Sequence, residues 1–219
     1  MAIEVGTPVN DTASGTGLVH TFSYTVTAGS QYLVVLVTMN CEQASQGITS
    51  VTYDGDAMTK AKDGAGDGCS SNAKQGVYYI ATPSSGANDV VVTYSGSGSQ
   101  ESSVSAIELK SGVGETPLGS NYSNCQSGDA TRNLTPTASQ GIVFDTIIGS
   151  EDGTPAVDGM TQLHSTTQES TRFGGASYKI FDSSPVAMNW NNVDPSPTHV
   201  LQEFQGAAAD DNALSMSNF

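Results

Sequence analysis

Six consecutive apolar residues, Tyr32-Leu33-Val34-Val35-Leu36-Val37, set the terms for the rest of this sequence. A half-exposed strand alternates apolar and polar side chains, so a run without alternation must be covered on both faces. The run is too short to cross a bilayer, which takes ~18 apolar residues in a helix. The segment Gln31–Met39 therefore predicts a central strand buried from two sides.

The flanking sequence repeats a different pattern. Leu18, His20, Phe22, Tyr24 and Val26 alternate with Val19, Thr21, Ser23 and Thr25, which predicts a strand with one buried face. Ile48–Tyr53 and Ala57–Lys60 flank Asp54-Gly55, a dipeptide that accepts positive φ and closes tight hairpins. Further strand patterns run at Gly76–Thr82, Asp89–Tyr94, Ser102–Lys110, Gly141–Gly149, Thr161–Gln168, Gly175–Phe181, Val186–Trp190 and Thr198–Gln205. Turn clusters such as Pro83-Ser84-Ser85-Gly86 separate them. Helical periodicity is nearly absent. Roughly ten to twelve short strands predict an all-β, two-sheet antiparallel sandwich over residues 1–206, jelly-roll-like in outline. Residues 112–133 read as one long irregular crossing between sheets. Residues 1–12 read as an N-terminal arm, and 207–219 as a C-terminal tail without strand pattern.

Charge narrows the partners. Only 13% of the residues are charged, and the net charge is −15 with a pI near 4.1. Seven Lys and Arg cannot neutralise a run of phosphates, so neither nucleic acid nor an anionic membrane surface is an expected partner. The first residues lack the basic start and apolar stretch of a signal peptide, so export by that route is not expected.

Candidate sites are sparse. Cys41, Cys69 and Cys125 have no metal-ligand spacing. The strand directions put Cys41 and Cys69 at one end of the sandwich, where a bridge between them competes with three thiols in a cytoplasmically made chain. Asp63 and Asp67 on the Gly-rich loop 63–68 offer the oxygen ligands a calcium ion requires, with Glu42 near that end. Their spacing fits neither the helix-flanked calcium loop nor a nonapeptide repeat, and a plain acidic turn is the competing reading. His20 falls on the apolar side of its strand and reads as a packed imidazole. His164 and His199 have no recognisable sequence partner, and no nucleophile elbow, zinc-binding His pair or phosphate loop occurs. Trp190 and the strand tyrosines Tyr32, Tyr78, Tyr79 and Tyr94 read as core. No catalytic role is expected of any residue, and no cofactor.

The stretch Ser50-Val51-Thr52-Tyr53-Asp54-Gly55-Asp56-Ala57-Met58-Thr59 resembles a family of β-sandwich modules of tailed-phage structural proteins and some bacterial surface proteins. Val77-Tyr78-Tyr79-Ile80-Ala81-Thr82-Pro83-Ser84-Ser85-Gly86 and Asp89-Val90-Val91-Val92-Thr93-Tyr94-Ser95-Gly96 look like that family's next strands and turn. Ser105–Leu109, Gly112-Val113, Thr116–Gly119, Gly141–Asp145 and Val200–Phe204 continue the likeness, which spans roughly residues 15–206. It implies a jelly-roll-like module displayed on a particle or cell surface and carries no catalytic residues. The expected role is a non-enzymatic virion protein that decorates or cements a capsid, assembled in the host cytoplasm. Its expected partners are the major capsid protein, other virion proteins and copies of itself in a symmetric array. A carbohydrate-binding module or adhesin of a tail or fibre is the alternative. Contact residues are expected in the terminal segments, at Met1, Ile3, Val5, Leu214, Met216 and Phe219.

Overall fold

The structure is a computed structural model that describes residues 2–16, 18–66, 70–125, 131–168, 172–193 and 197–207. It is all-β, and every strand pairing is antiparallel. Among the described residues seventeen strands form sheets packed face to face as a sandwich. The stack has more layers than the two expected, because the buried run at its centre is covered twice.

The central sheet holds β1 (Glu4–Val5), β2 (Val9–Thr16), β4 (Tyr32–Cys41), β7 (Thr59–Gly66), β8 (Ser70–Ala81) and β10 (Ser99–Ser111). Its order is β1-β10-β4-β8-β7, with β2 beside β1 on the same edge of β10. Every residue of β4 is buried. The first outer sheet holds β3 (Val19–Val26), β5 (Gly47–Tyr53), β6 (Asp56–Ala57) and β9 (Gly86–Ser95), ordered β3-β9-β5-β6. On the opposite side lies the third sheet, β11-β17-β13-β15-β14. It comprises β11 (Val113–Cys125), β13 (Gly141–Asp158), β14 (Thr161–Gln168), β15 (Arg172–Phe181) and β17 (Thr198–Gly206). The far half of β13 leaves this sheet and pairs with β16 (Val186–Val193), which also pairs with β12 (Thr131–Leu134). These strands cap the third sheet as a fourth, smaller layer.

Strand parity sorts the core into these gaps. Odd residues of β4, namely Leu33, Val35, Val37 and Met39, pack with Phe22, Tyr24, Val51, Tyr53, Val90 and Val92 of the first sheet. Even residues Tyr32, Val34 and Leu36 pack with Ile142, Phe144, Ala176, Val200 and Phe204 of the third. In the outermost gap Val143 and Leu201 meet Val186, Met188 and Leu134, and beside them Ile147 and Phe173 meet Trp190. Fully burying one such aliphatic or aromatic side chain stabilises by ~1.5–3 kcal/mol before conformational entropy is subtracted.

Several expected elements stand as read. β3 alternates exposed and buried residues throughout. Asp54 and Gly55, at φ 53° and 82°, turn β5 into β6 with Tyr53 opposite Asp56. Others are corrected. The crossing expected over 112–133 contains β11 and β12. β11 is an edge strand with two register shifts against β17, and its Gly, Ser, Asn and Pro residues hide it from a pattern search. The N-terminal segment is no free arm. β10 has backbone groups to pair on that edge, and residues 4–5 and 9–16 pair there. Ile3 and Val5, expected at an intermolecular contact, pack half-buried against the chain's own core. Ala207 also belongs to the sandwich, since its N–H donates to the Gly112 carbonyl and its carbonyl accepts from Gln140 Nε2.

Candidate functional site

Chemically capable side chains gather between the layers. The three histidines occupy three different gaps, each buried. His20 lies between the first and central sheets. Its Nδ1 is 3.0 Å from Ser102 Oγ and its Nε2 is 3.2 Å from the Asp11 carboxylate. Serine, histidine and aspartate in that order are the residue types of a nucleophile relay. Here Ser102 is mid-strand and 1% exposed, and His20 is 2% exposed. The trio ties β3, β10 and β2 together.

His199 occupies the gap facing the fourth layer. Its Nδ1 is 3.2 Å from both oxygens of Asp145, and Asp145 Oδ2 accepts a hydrogen bond from Trp190 Nε1 at 2.9 Å. All three side chains are closed to solvent. The carboxylate thereby joins β13, β17 and β16.

His164 lies in the gap between the central and third sheets, within a directional chain of hydrogen bonds. Asn10 Nδ2 donates to the Leu163 carbonyl, and Ser105 Oγ donates to Asn10 Oδ1 at 2.7 Å. With that proton committed, Ser105 Oγ accepts from His164 Nδ1. Thr38 Oγ1 donates to the Ser103 carbonyl at 3.3 Å, lies 3.4 Å from His164 Nε2 and accepts from Gln168 Nε2 at 3.2 Å. Gln168 Nε2 also reaches Ser103 Oγ at 3.1 Å. Burial pushes the His164 imidazole down to about 3.

Two buried carboxylates serve as anchors. Glu203 is fully buried and accepts three backbone N–H groups, from Ser120 at 2.6 Å, Thr137 at 2.8 Å and Ala138 at 2.9 Å. Gly119 lies so close that a Cβ there would overlap this carboxylate. Glu108 accepts from Ser30 Oγ, from Thr27 Oγ1 and from the Thr27 N–H. Burial works to raise the Glu108 carboxyl, but the hydrogen bonds from Ser30 and Thr27 outweigh it and hold it below its ordinary value. A carboxyl lowered by folding contributes stability above its unfolded value near 4.5, and that contribution is lost as pH falls through the folded value. Glu108→Gln is accordingly expected to be less stable than wild type at pH 7, with the gap narrowing below about pH 4. Urea midpoints at the two pH values check this.

The surface carries shallow features. A cleft of about 220 Å³ lies where β2, β10 and β14 meet, lined by Thr12, Ser14, Glu101, Ser103, Thr166 and Gln168 among others. A second, of about 300 Å³, is lined by Ile3, Gln140, Ile180 and Phe181 with Ala2, Gly141 and Asp182. Ser102 is among the residues that line the first cleft. Among the described residues no cluster of three or more His, Cys, Asp or Glu is arranged to hold a metal ion.

The expected site residues fall as follows. Asp63 is engaged by Lys60 Nζ at 2.7 Å, while Asp67 lies outside the described residues. Glu42 accepts from the Ser99 N–H. Cys41 is buried, with Sγ 3.0 Å from the Asn72 carbonyl oxygen near the start of β8, and Cys69 lies outside the described residues. Met1, Leu214, Met216 and Phe219 lie outside them too. Trp190, Tyr32, Tyr78 and Tyr94 are core, and Tyr79 packs half-buried beside them. The sequence reading missed the partners of His164 and His199. A His on a strand whose neighbours alternate is a signal of a buried imidazole, but its partners sit on strands tens of residues away.

Comparison of the chain with protein-family models, curated proteins and solved structures returns no match.

Proposed function

We propose that this chain is a non-enzymatic structural protein of a virus particle, one that decorates or cements the capsid by binding the major capsid protein. The observation that carries the reading is where the chemistry sits. Ser102, His20, Asp145, His199, His164 and Glu203 are all buried and engaged in ties within or between sheets. A stack built in this way presents rigid surfaces, and its work is contact. The turn-and-strand likeness to tailed-phage structural modules supports the same role, and the net charge of −15 fits a particle surface that repels its neighbours in solution. Many copies arrayed around symmetry axes would sum modest interfaces into a strong shell.

The adhesin alternative calls for an exposed aromatic platform, and Trp190, the single Trp, is 2% exposed. Glycan-array binding by the isolated chain would favour it.

The test is protein mass spectrometry of purified particles from the host that carries this gene. The chain is expected in the particles at a fixed ratio to the major capsid protein, and its absence from them would overturn the proposal. Within this reading the segment after Ala207 is the expected particle contact, because residues 4–5 and 9–16 are committed to the central sheet. Deleting 208–219 is expected to lower particle affinity at least about tenfold, equivalent to ~1.4 kcal/mol, while circular dichroism and the urea midpoint stay unchanged. Equal particle binding by the truncated and full chains would reject that segment as the contact.

A further inference from the structure

The gap between the central and third sheets differs from the other two in how it treats its histidine. His20 has the Asp11 carboxylate beside it, and His199 has Asp145. His164 has only hydroxyl groups, those of Ser105 and Thr38. We infer that this gap is an acid-operated seam: taking up a proton at His164 releases β14 and β15 from the central sheet while the first and central sheets stay packed.

The charged groups on the surrounding strands are turned to other partners. On β2, Asp11 faces His20 across the opposite gap. On β10, Glu108 is held by Thr27 and Ser30, and Lys110 pairs with Glu4. Glu101 of β10 shares the face of Ser103 and Ser105 and lines the cleft, roughly 13 Å along the strand from Ser105. On β15, Arg172 donates to Asn40 Oδ1, and Lys179 donates to the Ala187 carbonyl. Tyr178 of β15 packs half-buried on the same core cluster, and its phenol is no counter-ion at acid pH. β14 itself carries no other ionisable group. On β4, Cys41 belongs to the odd face toward the first sheet, while Tyr32 on the even face donates to the Gly114 carbonyl and is no counter-ion at acid pH. Asp145 of β13 faces His199 and Trp190 in the outermost gap. Among the described residues an imidazolium here gains no opposite charge.

Hydrogen bonding alone would tolerate the proton. Thr38 Oγ1 donates its hydrogen to the Ser103 carbonyl at 3.3 Å, which leaves its oxygen free to accept from the new N–H. The cost is that of burying an uncompensated charge, and parting the sheets to admit water relieves it. The route for water is present. Gln168 and Ser103 line the cleft and are hydrogen-bonded to each other, and Gln168 binds Thr38 next to the imidazole. On the third sheet β14 is an edge strand whose one backbone ladder among the described residues is with β15, so it can part without breaking a second ladder.

A histidine whose folded value is lowered binds fewer protons folded than unfolded between the two values. Stability then falls as pH drops from about 6.5 toward about 3. The test compares the full chain with His164→Gln, whose amide keeps a hydrogen-bonding group without a titration. The ratio of wild-type to variant unfolding constants, from urea titrations, is expected to rise on the order of 10²-fold between pH 7 and pH 4. A ratio constant within about twofold would overturn the inference. If the variant does not fold, the wild-type chain decides by hydrogen exchange along the same pH series. Amides of β14 and β15 are expected to lose protection before those of β3 and β9. Simultaneous loss in all sheets would overturn it, as would protonation of His164 near its ordinary value with β14 still protected.

Discussion

Glu203→Ala is expected to cost about 4 kcal/mol of folding stability, among the largest single effects in the molecule. The carboxylate is fully buried and is the acceptor for three backbone N–H groups from two separate segments, Ser120 on β11 and Thr137-Ala138 before β13. Removing it leaves those donors without a charged acceptor, and each charge-assisted bond is worth ~1.5–3 kcal/mol. Glu203→Gln keeps the shape but turns an N–H₂ group toward N–H donors, so an intermediate loss is expected. Urea unfolding followed by circular dichroism reads both variants. A loss below about 1 kcal/mol for the alanine variant would show that water or a local shift replaces the carboxylate.

The second large effect concerns the central strand. Leu33 and Leu36 are neighbours in sequence but serve different gaps, one toward the first sheet and one toward the third. Leu33→Ala and Leu36→Ala are each expected to lose about 3–4 kcal/mol, because β sheets on either side limit how far the cavity can collapse. Their side chains point to opposite faces and share no packing cluster, so the double variant is expected to lose nearly the sum. Ile180→Ala is the control: that side chain is 47% exposed, and a change within about 0.5 kcal/mol is expected. Equal losses in all three variants would mean that the stack is not organised around β4.

Those residues also show how far the sequence could be read. The Tyr32–Val37 run announced a strand covered from both sides, and the alternation in 18–26 announced a strand with one wet face; both readings depend on local order alone. The Asp54-Gly55 turn was legible because its chemistry is confined to two residues. β11 and β12 were not, since an edge strand of Gly, Ser, Asn and Pro is held by its partners more than by its own propensity. The number of layers escaped for a related reason. Parity tells which face of a strand is buried but not which sheet buries it. The inter-layer ties were the least accessible. His164 meets Ser105 and Thr38 across sequence separations of 59 and 126 residues, and only the folded stack brings them together.

The claim on which the rest depends is that β4 lies at the middle of a stack, sealed by one sheet on each face. Native-state hydrogen exchange at neutral pH tests it most directly. Amides of β4 and of the β10 segment paired with it are expected to exchange only through global unfolding, with β3, β9, β12 and β16 exchanging sooner through local opening. Exchange of the β4 amides at or above the rate of those outer strands would contradict it.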